Sequence, residues 1–318
     1  MKISRALSVG CLVAVSAAAS AHEFWLEPTA FAVPAGGHIG VYVCNGSGYE
    51  GWSLPRDPRR IEEFVAVGPD GSHPVLGLDG SEPAGLVRFA APGGYVIAYR
   101  SNRAMTVQPD EKFDEYLREK GLDAVLARRM AEGHRGGRVR ESYSRYAKTL
   151  IAVGAPADLI GSANPAKSAG PGQPAGPVDR ALGLPLEVVA DQDLFTGDAA
   201  AGNVAHVRTF RLLYLGKPLA GALVTAMRPG TADSDITART DRDGRVRVKL
   251  DKRGAWRIAA IHMAAPPADV DADWDSLWAS LTFELPSSTP AAAMRVTKVP
   301  RDERCRNQLA PTSLRAQR

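Results

Sequence analysis

Residues 240–250 read TDRDGRVRVKL, and charged and apolar residues alternate there after an Asp-Gly pair. An apolar residue at every second position is typical of a strand with one buried face, and Asp-Gly is a strong hairpin signal. The next run, GAWRIAAIHM at 254–263, also has the composition of a strand. Further strand-like runs surround these two, at 184–189, 205–214, 217–224 and 278–285. The pattern predicts a small antiparallel β-sandwich of the immunoglobulin or prealbumin kind over residues 184–286.

The part of the chain between residues 24 and 99 also consists of short strand-like runs, closed by turns such as Pro-Asp-Gly at 69–71. Regularly spaced short strands predict another β-sandwich, over residues 22–154. After Pro109 the apolar residues fall at helical spacing, which predicts a short helical insertion at about 109–147. We therefore expect a mainly β protein of two β-sandwich domains, with a helical insertion in the first.

Two further segments lack any periodicity. Residues 155–183 are rich in Pro, Gly, Ala and Ser, a composition typical of an interdomain linker without stable structure. Residues 287–318 carry mostly basic charges, and no aromatic residues interleave with them. We expect this segment to be a solvated tail and not a nucleic-acid-binding surface.

The start of the chain has the features of a secretory signal peptide. Lys2 and Arg5 precede an apolar run at 6–18, and small residues follow at 19–21. This order predicts export to the periplasm, with residues 1–21 removed by cleavage after Ala21. His22 would then be the first residue of the mature protein.

An N-terminal histidine has two metal-binding nitrogens, the free α-amine and the ring Nδ1, which can hold one ion in a single chelate ring. A further imidazole would complete an all-nitrogen site suited to Cu(II) or Ni(II). We predict His262 as that ligand, with His206 as a substitute, and Glu23 as a weaker source of an oxygen ligand. The alternative is that cleavage happens to leave a histidine first, and that the other histidines are ordinary core or surface residues.

Lys148 follows two tyrosines, Tyr143 and Tyr146, at the predicted junction between the helical insertion and a strand. A buried lysine can have a functional role. We expect the commoner role, a salt bridge that fixes the inserted helices to the sandwich.

The composition limits what the protein can do. Its 318 residues are 45% hydrophobic and 23% charged, which is ordinary for a soluble globular protein. The formal charge is +4, and removal of Lys2 and Arg5 would reduce it to +2. After the signal peptide no apolar run reaches about 18 residues, so we expect no membrane span. No hydrolase, zinc-protease or phosphate-loop motif occurs, and we expect the protein not to be an enzyme.

Two cysteines remain after signal cleavage, Cys44 and Cys305. The periplasm permits disulfides. Whether these two form one stays open at this point, because pairing depends on the distance between them in the folded chain.

Several motifs resemble known families. The run LGKPLAGALV at 215–224, with the Thr-Asp-x-Asp-Gly and Gly-x-Trp elements that follow, looks like a prealbumin-like module. The chain as a whole resembles a bacterial exported family named only as a domain of unknown function (DUF4198), which is similar to the periplasmic subunit of nickel and cobalt uptake systems. The residues that carry this resemblance are HEFWL at 22–26, EKF at 111–113, YSRYAK at 143–148, LGLPLE at 182–187, IHM at 261–263 and WDSLWASLTF at 274–283. In the transport relatives the mature N-terminus binds nickel, so the resemblance implicates His22.

The sequence therefore predicts a periplasmic protein that binds one divalent nickel, cobalt or copper ion for uptake or handling. The resemblance implies a membrane permease or an outer-membrane receptor as partner. One alternative is a non-catalytic module that binds carbohydrate or protein, as prealbumin-like domains often do. The other is a copper oxygenase-like enzyme, which would need an open coordination position and a flat substrate surface.

Overall fold

A computed structural model describes residues 22–133, 136–154, 179–195, 206–230, 236–286 and Cys305. Strands dominate it, and they stack as β-sandwiches, which confirms the predicted fold class. The predicted signal peptide, most of the predicted linker and all of the predicted tail except Cys305 lie outside the described residues.

Ten of the described strands belong to the first half of the chain. They are β1 (Glu23–Pro28), β2 (Ala32–Val33), β3 (His38–Ser47), β4 (Glu50–Leu54), β5 (Ile61–Gly68), β6 (Gly71–Pro74), β7 (Gly85–Arg88), β8 (Gly93–Ser101), β9 (Ala104–Pro109) and β10 (Arg138–Val153). Two helices, α1 (Asp110–Glu119) and α2 (Asp123–Ala131), lie between β9 and β10.

The second half contributes eight strands to the described structure. They are β11 (Leu186–Ala190), β12 (Val207–Tyr214), β13 (Lys217–Pro218), β14 (Leu223–Met227), β15 (Ile236–Arg239), β16 (Arg245–Lys249), β17 (Gly254–Ala264) and β18 (Trp274–Leu285). The hairpin predicted at Asp243–Gly244 lies just before β16, and Gly244 has the positive φ of 70° that its turn requires.

One large sheet runs through both halves of the molecule. Its path is β15-β14-β17-β18-β10-β8-β5-β6, and β2 and β9 also pair with β10. A sheet of β1, β3, β4 and β7 covers the N-terminal half, and a sheet of β11, β12, β13 and β16 covers the C-terminal half. The chain was expected to form two sandwiches separated at 155–183. Instead, the two sandwiches share a sheet, because β10 and β18 pair in parallel over Glu141–Thr149.

The predicted helical insertion was too long. We expected helical structure to continue to residue 147, but α2 ends at Ala131 and the chain from Arg138 is already strand β10. Both faces of β10 are covered: Tyr146 and Leu150 belong to the C-terminal core, whereas Ala147 and Ile151 belong to the N-terminal core. A strand buried on both faces lacks the alternation of apolar and polar residues, and this is why the sequence pattern did not reveal it.

Among the described residues there are also two smaller buried clusters. Phe113, Tyr116 and Leu117 of α1 pack on Trp274 and Trp278 of β18. Elsewhere, Cys44 and Cys305 form a disulfide with a Cα–Cα distance of 5.8 Å. The pairing that the sequence left open therefore exists, and it connects β3 to a residue far along the chain.

Candidate functional site at the start of strand β1

His22 lies directly before β1, with its ring against Trp52 of β4. The two ring centroids are 4.9 Å apart and nearly perpendicular. Burial lowers the pKa of the His22 imidazole below its ordinary value, and the positive charges of Arg145 and Lys120 lower this pKa further. The ring is therefore neutral at pH 7, which is the form that coordinates a metal ion.

Glu23 is buried, and it accepts contacts from two cations. Lys120 Nζ lies 3.3 Å from Glu23 Oε1, and the Arg257 guanidinium donates to Oε2. The carboxylate predicted as a weaker metal ligand is thus already engaged by two positive groups. Its observed role is to fix β1 to the residue after α1 and to β17.

Arg257 is fully buried, and sequence reasoning missed it. Its guanidinium lies 4.5 Å from the ring centroid of Trp25 and 5.2 Å from that of Tyr49, within cation–π range. It also donates to the Gly48 carbonyl oxygen. The only sequence signal was an arginine in an otherwise apolar strand, and a charge so placed indicates a buried partner.

A cleft of about 180 Å³ lies beside Glu23 and Phe24, the first two residues of β1. Its polar lining comes from Glu23, Glu119, Lys120, Thr225 and Thr237. Its apolar lining includes residues of β14, β17 and β18, among them Leu223, Ile261 and Trp278. A small polar ligand or solvent can therefore approach the start of β1 from this side.

His262 lies in β17 with its ring against Tyr214 of β12, at a centroid distance of 4.4 Å. Ile258 and Ala260, at alternate positions before it, belong to the core of the C-terminal sandwich. Arg257, which contacts Glu23, points from the opposite face of β17 because successive side chains alternate. The structure therefore does not bring His262 together with His22.

His206 lies just before β12, and its carbonyl oxygen accepts a hydrogen bond from the Leu250 amide at 2.7 Å. This places it at the far sheet of the C-terminal sandwich and not beside β1. Within the described ranges, one group of three residues has metal-ligating atoms within 4.8 Å of one another, namely Glu27, Cys44 and Cys305. The two cysteines of that group are bonded to each other.

Comparison with known proteins identifies the family. The model of the domain of unknown function DUF4198 matches residues 19–264. The chain belongs to this family, as the resemblance of its motifs predicted. The match begins just before His22 and includes β17. The resemblance to nickel and cobalt uptake systems, and that to a prealbumin-like module, stay predictions.

Among solved structures, the chain is similar to the D0-D1 domain of Intimin. That similarity has a TM-score of 0.17 and 13% sequence identity, over 82% of this chain and 97% of that one. A search of curated proteins found no match. In the described part of the chain, no helix is both long enough and apolar enough to cross a membrane.

Proposed function

We propose that this protein is exported and binds one transition-metal ion at the start of β1, through the α-amine and the imidazole of His22. The observation that carries the proposal is the position of His22: it directly precedes a buried strand and has a neutral, half-buried ring. Cleavage after Ala21 would add the amine on the same residue. Both nitrogens would then lie at one fixed point of the fold.

The site would use no ligand from His262, because β17 directs that ring towards the C-terminal core. Two nitrogens from His22 leave coordination positions open for water or for the ligands that deliver the ion. On nitrogen ligands the affinity follows the order copper, nickel, cobalt, so the ion held in the cell depends on supply.

The charges around His22 favour transfer of the ion over storage. Arg145 and Lys120 both place positive charge near the ring, and repulsion by a cation weakens the binding of another cation. A site with few protein ligands and positive neighbours suits a protein that hands the ion to a membrane permease or an outer-membrane receptor.

The test is a titration of the protein that begins at His22 with Cu(II) and Ni(II), compared with the same protein acetylated at its α-amine. Acetylation removes the amine as a ligand and leaves the imidazole and the fold in place. We expect the affinity to fall at least tenfold, a loss of about 1.4 kcal/mol or more. The matched control is His262→Ala, which we expect to bind as the unchanged protein does.

Equal affinities for the two N-termini would contradict the proposal and favour a non-catalytic binding module. A large loss in the His262→Ala variant, with folding unchanged, would contradict the two-nitrogen site and restore His262 as a ligand.

A further inference from the structure

Lys148, Asp179 and Glu187 form a charged cluster inside the protein, at the point where β10 meets the chain that leads into β11. Their exposed fractions are 1%, 3% and 2%. The salt bridge expected at Lys148 is therefore present, but its partners are not residues of the inserted helices. Tyr146 and Leu150, on either side of Lys148 along the same face of β10, belong to the C-terminal core.

The amine of Lys148 lies in direct contact with both carboxyl groups. Its Nζ is 2.7 Å from Asp179 Oδ1 and 3.1 Å from Glu187 Oε1. It also donates to the Arg180 carbonyl oxygen at 3.1 Å. The nitrogen is thus held within hydrogen-bond distance of the Asp179 carboxyl group, and all three side chains are buried.

Backbone amides donate hydrogen bonds to both carboxyl groups. Asp179 accepts hydrogen bonds from two amides, that of Arg180 at Oδ1 (2.9 Å) and that of Ala190 at Oδ2 (2.8 Å). Glu187 accepts from three amides, those of Leu182, Gly183 and Leu184. These three donors hold the Glu187 carboxyl group in place beside Lys148 Nζ. Burial raises the pKa of the Asp179 carboxyl above its ordinary value, which favours its protonated form.

We propose that Lys148 and Asp179 condense within the folded protein to an intramolecular amide, with Glu187 as the general base. A nucleophile, an acid whose carbon it can attack and a base thus lie within hydrogen-bond reach of one another. The Ala190 amide donates to Oδ2, where negative charge develops during the attack.

The atoms balance without any oxidant or co-reactant. A proton passes from the Lys148 ammonium through Glu187 to the Asp179 carboxylate, giving a neutral amine and a neutral acid. The amine nitrogen attacks Cγ and forms the N–C bond. Glu187 takes a second proton from that nitrogen and gives it to Oδ1, the C–Oδ1 bond breaks, and one water molecule leaves.

Two physical effects drive the reaction forward. Fixing both groups in contact replaces an encounter in solution by an intramolecular step, which raises the effective concentration enormously. The reaction also removes an ammonium and a carboxylate from a buried position, where each separated charge is costly, and replaces them with a neutral amide. The bond would close the chain between residues 148 and 179 and fix β10 covalently to the second half.

The test is mass spectrometry of the reduced, exported protein. We expect an intact mass lower than that of the sequence by one water molecule. Trypsin should fail to cut after Lys148 and should release residues 146–167 joined to residues 168–180. The full sequence mass, with separate peptides 146–148, 149–167 and 168–180, would overturn the proposal. So would a loss of water with cleavage after Lys148 intact.

Variants distinguish a covalent amide between Lys148 and Asp179 from an ordinary ion pair between them. Lys148→Arg keeps the charge and Glu187→Gln keeps the shape of the base, and both should show the full mass while remaining folded. The matched control is Lys120→Arg, at the partly buried contact between Lys120 and Glu23, which should retain the loss of water. Should a variant at Lys148 or Glu187 fail to fold, the peptide map of the unchanged protein still decides.

Discussion

At the residue scale, the sequence pointed to His22 at the start of β1, but it did not predict the contact between Glu23 and Arg257 beside it. The signal peptide pattern identified His22 because its features are local in sequence. Glu23 and Arg257 meet across 234 positions of the chain, so no local pattern could connect them. The prediction that His262 lies beside His22 was wrong for the same reason. The local pattern identifies its strand, but it does not show which sheet covers each face of that strand.

The lowered pKa of His22 predicts how metal affinity depends on pH. Metal binding at the proposed site needs a neutral ring and a neutral amine. The pKa of the His22 ring lies below its ordinary value of about 6.5, whereas an α-amine has an ordinary pKa of about 7.7–8.0. Between these values only the amine proton competes with the metal. We expect the affinity to rise about tenfold per pH unit from about 6.5 and to level off near pH 8.

Cu(II) titrations in a series of buffers between pH 6 and 9 measure this slope, with the α-acetylated protein as control. An affinity that does not change between pH 6.5 and 8 would show that the amine is not a ligand. A slope of about two protons per ion over that range would show that the ring is still protonated there.

At the element scale, the short strands of the C-terminal half follow directly from alternation, and all six strand-like runs predicted there contain strands. The helical insertion was predicted correctly, because α1 and α2 have helical spacing of their apolar residues. Its end was predicted too far along the chain, because β10 is buried on both faces and lacks the alternation of a strand. Gly121 connects the two helices with φ of 64°, a conformation that favours glycine.

Gly121 also lies close to the sheet, which predicts a measurable packing effect. A Cβ at Gly121 would lie 2.7 Å from Leu223 Cδ2. Gly133 has a similar φ of 73° but no atom within 4 Å of its Cβ position. We expect Gly133→Ala to cost about 1–2 kcal/mol for the left-handed backbone. Gly121→Ala should cost about 1–3 kcal/mol more, for overpacking against β14.

Urea unfolding of the two variants at pH 7 measures this difference. Equal losses would mean that Leu223 moves aside without cost and that α1 and α2 are not closely packed on β14.

At the scale of the whole molecule, the shared sheet makes the two sandwiches one unit. The parallel pairing of β10 with β18 and the Cys44–Cys305 disulfide both join distant parts of the chain. The Lys148 cluster adds a third connection between the halves. The sequence predicts each sandwich because its pattern is local. It does not predict these connections, because they depend on how distant segments pack.

In the proposed site, residue 22 alone supplies the protein nitrogens that hold the metal. The electron paramagnetic resonance spectrum of Cu(II) bound to the protein that begins at His22 tests this. We expect coupling to an imidazole nitrogen, which His22→Ala removes while the α-amine stays, and which His262→Ala leaves unchanged. Imidazole coupling that survives in His22→Ala, or that disappears in a folded His262→Ala variant, would contradict the proposal.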